Sequence, residues 1–304
     1  MKPRHRIFLF AVLLGGLILG GFWVFGPDPT DPLYQGRPLS QWLLAFPLTP
    51  GSSGPDQLRA QLELQQADAA AHAVGTNALR VLLSMLAAQD APWRAKLYRE
   101  LQYRLPGRFY SRLAVEKNSL AVRYFGILGP DGRYAVPGLV NLYARSAPGS
   151  PARENVLAAL AELGPQAVAA VPVLASAVAA KTNSEGRVLA ILALSRMGTN
   201  AAPAAPELIA ALQNQHYVIR AAAAACLGGF RGDVGRQVLP ALRHLRDTSP
   251  TNRYPPLILS DDTLLLYDSE NRGAGDSIDQ SRATAELAIR RIEEDLPAPP
   301  VPTP

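Results

Sequence analysis

The residues best able to do chemistry are four histidines, one cysteine and a few serine- or acid-bearing loops, so their spacing comes first. His5, His72, His216 and His244 are never three or four residues from one another or from the cysteine, and no His-Glu-x-x-His occurs. That spacing does not build a zinc site on one helix. His216 and His244 could meet only across neighbouring structural units. Cys226 stands in Ala225-Cys226-Leu227 on an apolar stretch, which predicts a small buried hydrophobe with no paired histidine to make it a nucleophile. There is no Gly-x-Ser-x-Gly, and Gly51-Ser-Ser-Gly54 sits in a Pro-rich loop without an obvious base. A Walker-type phosphate loop is missing, and the glycine cluster Gly228–Gly235 lacks a preceding strand, so it reads as a loosened turn. Asp268 to Asp279 superficially follows a calcium loop, with oxygens from Asp268, Glu270, Asp276 and Asp279 and a turn at Gly273. Arg272 occupies the fifth position, removing a ligand and adding a positive charge, so a solvated acidic loop is expected. The sequence therefore predicts no catalytic, cofactor-binding or metal-ligating residues and no cofactor: a protein that is not an enzyme.

The elements that would have to position any site follow from composition. The chain has 304 residues, 48% apolar and 18% charged, with one cysteine. The length permits a sizeable core without metals or disulfides, and a single cysteine excludes an intramolecular disulfide. The formal net charge is +5, of which Lys2, Arg4 and Arg6 supply +3 and the rest of the chain +2. A body so near neutrality lacks the concentrated basic face that nucleic acid requires, so none is expected as a partner.

Residues 1–6 form a basic flank, and residues 7–26 run for 20 positions without a charge. As a helix that run would be about 30 Å long at 1.5 Å per residue, enough to cross a bilayer. Phe22, Trp23 and Phe25 stand at its far end, where rings favour the headgroup layer. The run is longer than a signal-peptide core and ends in bulky residues, so an uncleaved anchor is expected, with residues 1–6 cytoplasmic. Gly16 and Gly20 form a Gly-x-x-x-Gly pair, a pattern common by chance in such spans. Residues 27–55 then read as a Pro-rich linker with a short lead-in helix. The tail 296–304, LPAPPVPTP, cannot be helical and is expected to be extended and disordered.

Between linker and tail the chain repeats itself. Gly129, Gly164, Gly198 and Gly232 are 35, 34 and 34 residues apart, and Pro137, Pro172, Pro206 and Pro240 keep the same three spacings. A glycine just past a helix ends it, and a proline eight residues on can open the next, where its missing N–H is no loss. Each unit therefore reads as helix, turn, helix. The first helices carry apolar stripes such as Val156, Leu157, Leu160, Leu163 and Ile191, Leu194, Met197; the second carry Leu174, Val178 and Leu208, Leu212. Alanines between the stripes let helices pack closely, and one such hairpin cannot bury its stripe without neighbours.

The run Leu163-Gly-Pro-Gln-Ala-Val-Ala-Ala-Val-Pro172-Val-Leu resembles HEAT repeats, specifically the short bacterial phycobilisome-lyase-type kind. The helix-opening arginines Arg153, Arg187 and Arg220, 34 and 33 residues apart, also resemble that family. Its ladder aspartate is represented only by Asn183 and Asn214. Gly75-Thr-Asn-Ala-Leu echoes Gly198-Thr-Asn-Ala-Ala, suggesting a divergent earlier unit, and Tyr34–Leu43 resembles a lead-in found before HEAT repeats in some membrane-anchored bacterial proteins. A 34-residue period also suits tetratricopeptide repeats, but their aromatic signature is missing and the proline stands at the wrong end.

The resemblance implies an all-α fold: a right-handed α-solenoid, HEAT- or armadillo-like, over residues 56–295, with clear repeats at 118–246, a loop insertion at 249–280 and a last helix from Ser281 to Asp295. It implies a non-catalytic scaffold or adaptor that binds another protein, held at the bacterial inner membrane with its bulk on the periplasmic side. Arg153, Arg187 and Arg220 are expected to bridge units. Arg145, Lys181, Arg243, His244 and Arg246 recur on second helices and could form a basic face for an acidic partner. The alternatives are a module for cell-wall glycan or lipid, and a bilin-lyase-like enzyme, for which no catalytic constellation exists.

Overall fold

The computed structural model describes residues 31–43, 55–93, 96, 100, 113–180, 184–250, 255–259 and 279–295. The expected anchor at 7–26, its flank, most of the 249–280 insertion, the tail and Lys181 lie outside the described residues. The chain divides into two compact units, Met1–Val74 and Gly75–Pro304.

In the first unit, β1 (Leu33–Tyr34) and β2 (Arg37–Pro38) pair antiparallel, Leu33 opposite Pro38 and Tyr34 opposite Arg37. Gln35 and Gly36 make the turn at φ 49° and 74°, the positive pair that a two-residue hairpin requires. The sequence reading expects only a helix here, so this hairpin is an addition to an otherwise helical fold. Helix α1 (Leu39–Leu43) follows, its Ser40 N–H donating to both Asp31 carboxylate oxygens at 3.2 and 3.1 Å. Trp42 locks helix to hairpin. Its Nε1 donates to the Tyr34 carbonyl at 2.9 Å, its ring meets the Tyr34 ring edge-on, and Arg37 lies 4.8 Å over it. Leu39 and Leu43 are fully buried, and α1 packs on α2 (Pro55–Val74).

Every regular element among the second unit's described residues is a helix. Helices α3 (Leu79–Leu86), α4 (Ala114–Ile127), α5 (Val136–Arg145), α6 (Pro151–Leu163), α7 (Val171–Ala179), α8 (Ser184–Arg196), α9 (Ala205–Ala211), α10 (Tyr217–Leu227), α11 (Gly232–Thr248) and α12 (Ser281–Asp295) run in chain order. The first helices of the hairpins pack side by side as α4, α6, α8, α10; the second helices α7, α9 and α11 form a neighbouring row. Each interior first helix is thus flanked on several sides. That is why α8 buries Val188 through Leu194 and α10 buries Ala221 through Ala224 with hardly a polar face. The predicted stripe residues are all core: Val156, Leu157, Leu160, Leu163, Leu174, Val178, Ile191, Leu194, Met197, Leu208 and Leu212 are at most 4% exposed.

The glycine–proline punctuation has a structural form. Gly129, Gly164, Gly198 and Gly232 have φ of 53°, 51°, 59° and 60°, values a side chain resists. After the first three, a seven-residue 3-10 segment carries the chain to the next helix, where Pro137, Pro172 and Pro206 are the second residue. The fourth unit departs from the pattern. Helix α10 stops at Leu227, and α11 is α-helical from Gly232, which leaves Pro240 inside a helix rather than opening one. Pro240 and Arg236, four residues back, are both exposed, so water can satisfy the carbonyl that the ring leaves without a donor.

Helix α12 explains the departure. It packs against both α10 and α11, in the place a fifth first helix would take. A Cβ on Gly228 would lie 2.6 Å from the Ala288 Cβ, and one on Gly235 would lie 3.1 Å from the Ile292 Cγ2. The glycine cluster therefore admits α12, whose Ala285, Ala288, Ile289 and Ile292 are buried.

Candidate functional site

The seams between successive hairpins hold the chain's most organised polar chemistry. An arginine in the first turns of α6, α8 and α10 turns back to the carbonyl end preceding it. Arg153 Nε donates to the Tyr143 carbonyl at 3.1 Å, and Arg187 Nε to the Val178 carbonyl at 2.8 Å. Arg220 Nη1 donates to the Asn214 and Gln215 carbonyls, each at 2.8 Å. A helix end leaves carbonyls without partners, and a guanidinium beside them meets both the hydrogen-bonding need and the dipole.

What completes each guanidinium differs. At the first seam, the Arg153 guanidinium stacks 4.6 Å over the Tyr143 ring, and a residual cavity of about 30 Å³ is bounded by Pro148, Gly149 and Leu157 among others. At the third, Arg220 Nη2 pairs with Asp279, whose side chain is 2% exposed, and Nε donates to Ser281 Oγ at 3.3 Å. Asp279 also accepts the Ser281 N–H at 2.8 Å. The residue that would close a calcium loop is thus committed to an arginine. At the second seam the position of Tyr143 is taken by Val178, and among the described residues no ion pair joins a carboxylate to Arg187. A cleft of about 770 Å³ opens there, lined by Val178, Ser184, Arg187, Glu207, Ala210 and His216 among others. Burial without a counter-charge lowers the Arg187 pKa from its ordinary value. Glu207 in the same wall has its Oε2 buried with no hydrogen-bond donor.

The expected basic face is dispersed. Arg145 ends α5 and is exposed, whereas Arg243, His244 and Arg246 lie on α11, with the α7 and α9 units between. Arg243 Nη2 pairs with Glu293 of α12 at 2.8 Å, and Arg246 Nε with Asp247 at 2.7 Å. The Arg246 hydrogen bond in turn holds the Asp247 carboxyl below its usual range. Arg282 of α12 also donates to the Arg246 carbonyl at 3.2 Å. Two of the four described cations are therefore engaged with acids, Arg243 with one that α12 brings and Arg246 with its own neighbour on α11.

Among the described residues, no three His, Cys, Asp or Glu side chains converge as a metal site would require. His72 and His244 are exposed, and the His216 N–H is bound by Asn214 Oδ1 at 2.9 Å. Cys226 is buried, and burial pushes its thiol pKa up to about 12. A further cross-unit pair, which sequence reasoning passed over, joins Arg196 Nη1 to Glu162 Oε1 at 2.6 Å. Its signal was the spacing of 34, one repeat.

A family model for HEAT repeats matches residues 171–254, which spans α7 to the end of α11. Comparison with curated proteins finds no match to the chain. Over those residues the chain is similar to HEAT repeats, and the packed helical hairpins of the second unit form an all-α array of stacked helices.

Proposed function

We propose that the chain is a non-catalytic interaction scaffold: a right-handed α-solenoid anchored by residues 7–26 in the inner membrane, presenting its hairpins on the extracytoplasmic side to another protein. One observation carries the reading. The same arginine seam recurs three times along one array, which creates an extended, modular surface rather than a single enclosed pocket. Repeat arrays of this kind generally mediate protein–protein contact, and the family match covers two of the three seams. The anchor follows from the apolar run and its basic flank.

Chemical crosslinking in intact cells, with a tagged full-length chain and mass spectrometry of what is captured, tests the scaffold. One dominant envelope protein is the expected result; only self-links or scattered abundant proteins would overturn it. An alkaline phosphatase fused after Pro304 tests the topology separately. It should be active, and an inactive but stable fusion would place the array in the cytoplasm.

A further inference from the structure

The three equivalent arginines set up an internal control. Arg153 has a tyrosine face beneath it and Arg220 has a buried carboxylate, yet Arg187 has one carbonyl acceptor and a cleft. A guanidinium carries five N–H donors in a planar fork that matches a carboxylate, and among the described residues the fork of Arg187 uses only Nε. The third seam displays what such a position accepts: an aspartate, brought from 59 residues away in sequence, with a serine hydroxyl beside it. The second seam has the arginine without that insert, and a space of about 770 Å³ where the first seam leaves about 30 Å³.

We propose that the cleft bounded by α7, α8, α9 and the turn at Gln213–His216 is a peptide-recognition site in which Arg187 grips an Asp or Glu side chain of the partner protein. The proposal deepens the scaffold reading and rests on it. Glu207 sets the second requirement. Its carboxylate stands in the wall of the same cleft, so a neighbour of the bound acid that donates an N–H or hydroxyl is favoured there, as Ser281 stands two residues from Asp279. Ser184, Gln213, Asn214 and Gln215 add neutral polar groups suited to a peptide backbone to a wall that is otherwise largely apolar. Arg187 and Glu207 place one positive and one negative pole in the cleft, which favours an acid with a neighbouring donor over a run of like charges.

The test is selection of a phage-displayed random peptide library on the purified full-length chain, followed by affinity measurement of the enriched peptides by fluorescence anisotropy. Enriched peptides should share one Asp or Glu next to a donor side chain. Arg187→Met should weaken them about 10- to 100-fold, the loss expected for charge-assisted hydrogen bonds. Arg187→Lys should recover only part, because it restores charge without the fork. Ala210→Glu, at an exposed position in the cleft wall, should block binding without touching the core, so it serves if Arg187→Met fails to fold. Arg80→Gln, exposed on α3, should change nothing. Enriched peptides indifferent to both cleft variants would overturn the site and leave the scaffold standing. No enrichment would also overturn the site, and the scaffold would then be judged by the crosslinking alone. Retention on purified peptidoglycan that requires Arg187 would assign the carboxylate to the cell wall and overturn the protein partner.

Discussion

The seam at Arg220 and the seam at Arg187 are built on the same residue at the same repeat position, and they end in opposite states. At Arg220 the chain supplies its own carboxylate, its own hydroxyl and a whole helix: Asp279, Ser281 and α12. At Arg187 it supplies a carbonyl and leaves a cleft. A repeat fold must stop somewhere, since an uncovered terminal hairpin exposes the stripe that the next unit would bury. Helix α12 closes that end, pairing its Glu293 and Asp295 with Arg243 and Arg231 of the α10–α11 unit. The difference separates two outcomes of one local motif: a closed end that stabilises, and an open middle that the proposed peptide site uses.

Substitutions sharpen the contrast, beginning with the core both seams share. Leu160→Ala should cost about 2–5 kcal/mol in chemical denaturation, because Leu160 is fully buried between the rows. An unchanged midpoint would mean that the packing register is wrong. Asp279→Ala should cost about 3 kcal/mol, since it strands Arg220, whose side chain is only 17% exposed. Gly228→Ala should cost about 1–3 kcal/mol by forcing α12 off α10, visible as faster amide exchange in residues 281–295. Arg187→Met should cost only about 1 kcal/mol, one hydrogen bond to the Val178 carbonyl, despite being the exact counterpart of Arg220. A loss as large as that of Asp279→Ala would erase the distinction between the seams.

The last effect is silent at neutral pH. Cys226 stays protonated in the fold up to about 12, while the unfolded thiol ionises near 9.0. The unfolded state therefore binds fewer protons between those values. Stability that is fully present below about pH 9 should fall as pH rises toward 12. Cys226→Ala should flatten that decline, and the native thiol should resist thiol reagents at pH 8. Rapid labelling of folded protein would contradict the buried placement.

Much of the array was legible because its punctuation is local. Glycines with positive φ and prolines at second helical positions act within a turn, so Gly129 to Gly198 and Pro137 to Pro206 mark hairpins directly. The same local rule missed Pro240, because α12 alters the fourth turn from 50 or more residues away. The hairpin at residues 33–38 was missed because its turn places Gln35, a non-glycine, at φ 49°. Arg187 was legible as a repeat arginine but not as an open one. Its state depends on Val178 replacing a tyrosine and on an aspartate that reaches Arg220 instead, and neither leaves a periodic trace. The pairing of Arg243 with Glu293 is a long-range fact of the same kind, and it leaves no local trace either.

The measurement that bears most directly on the comparison is site-specific photocrosslinking in intact cells, with the probe placed either at Ala210 in the open cleft or at Arg290 on the exposed side of α12. The account predicts one discrete envelope protein captured from position 210, lost on Arg187→Met, and no such product from position 290. Equal capture from both positions, or capture at 290 alone, would contradict it.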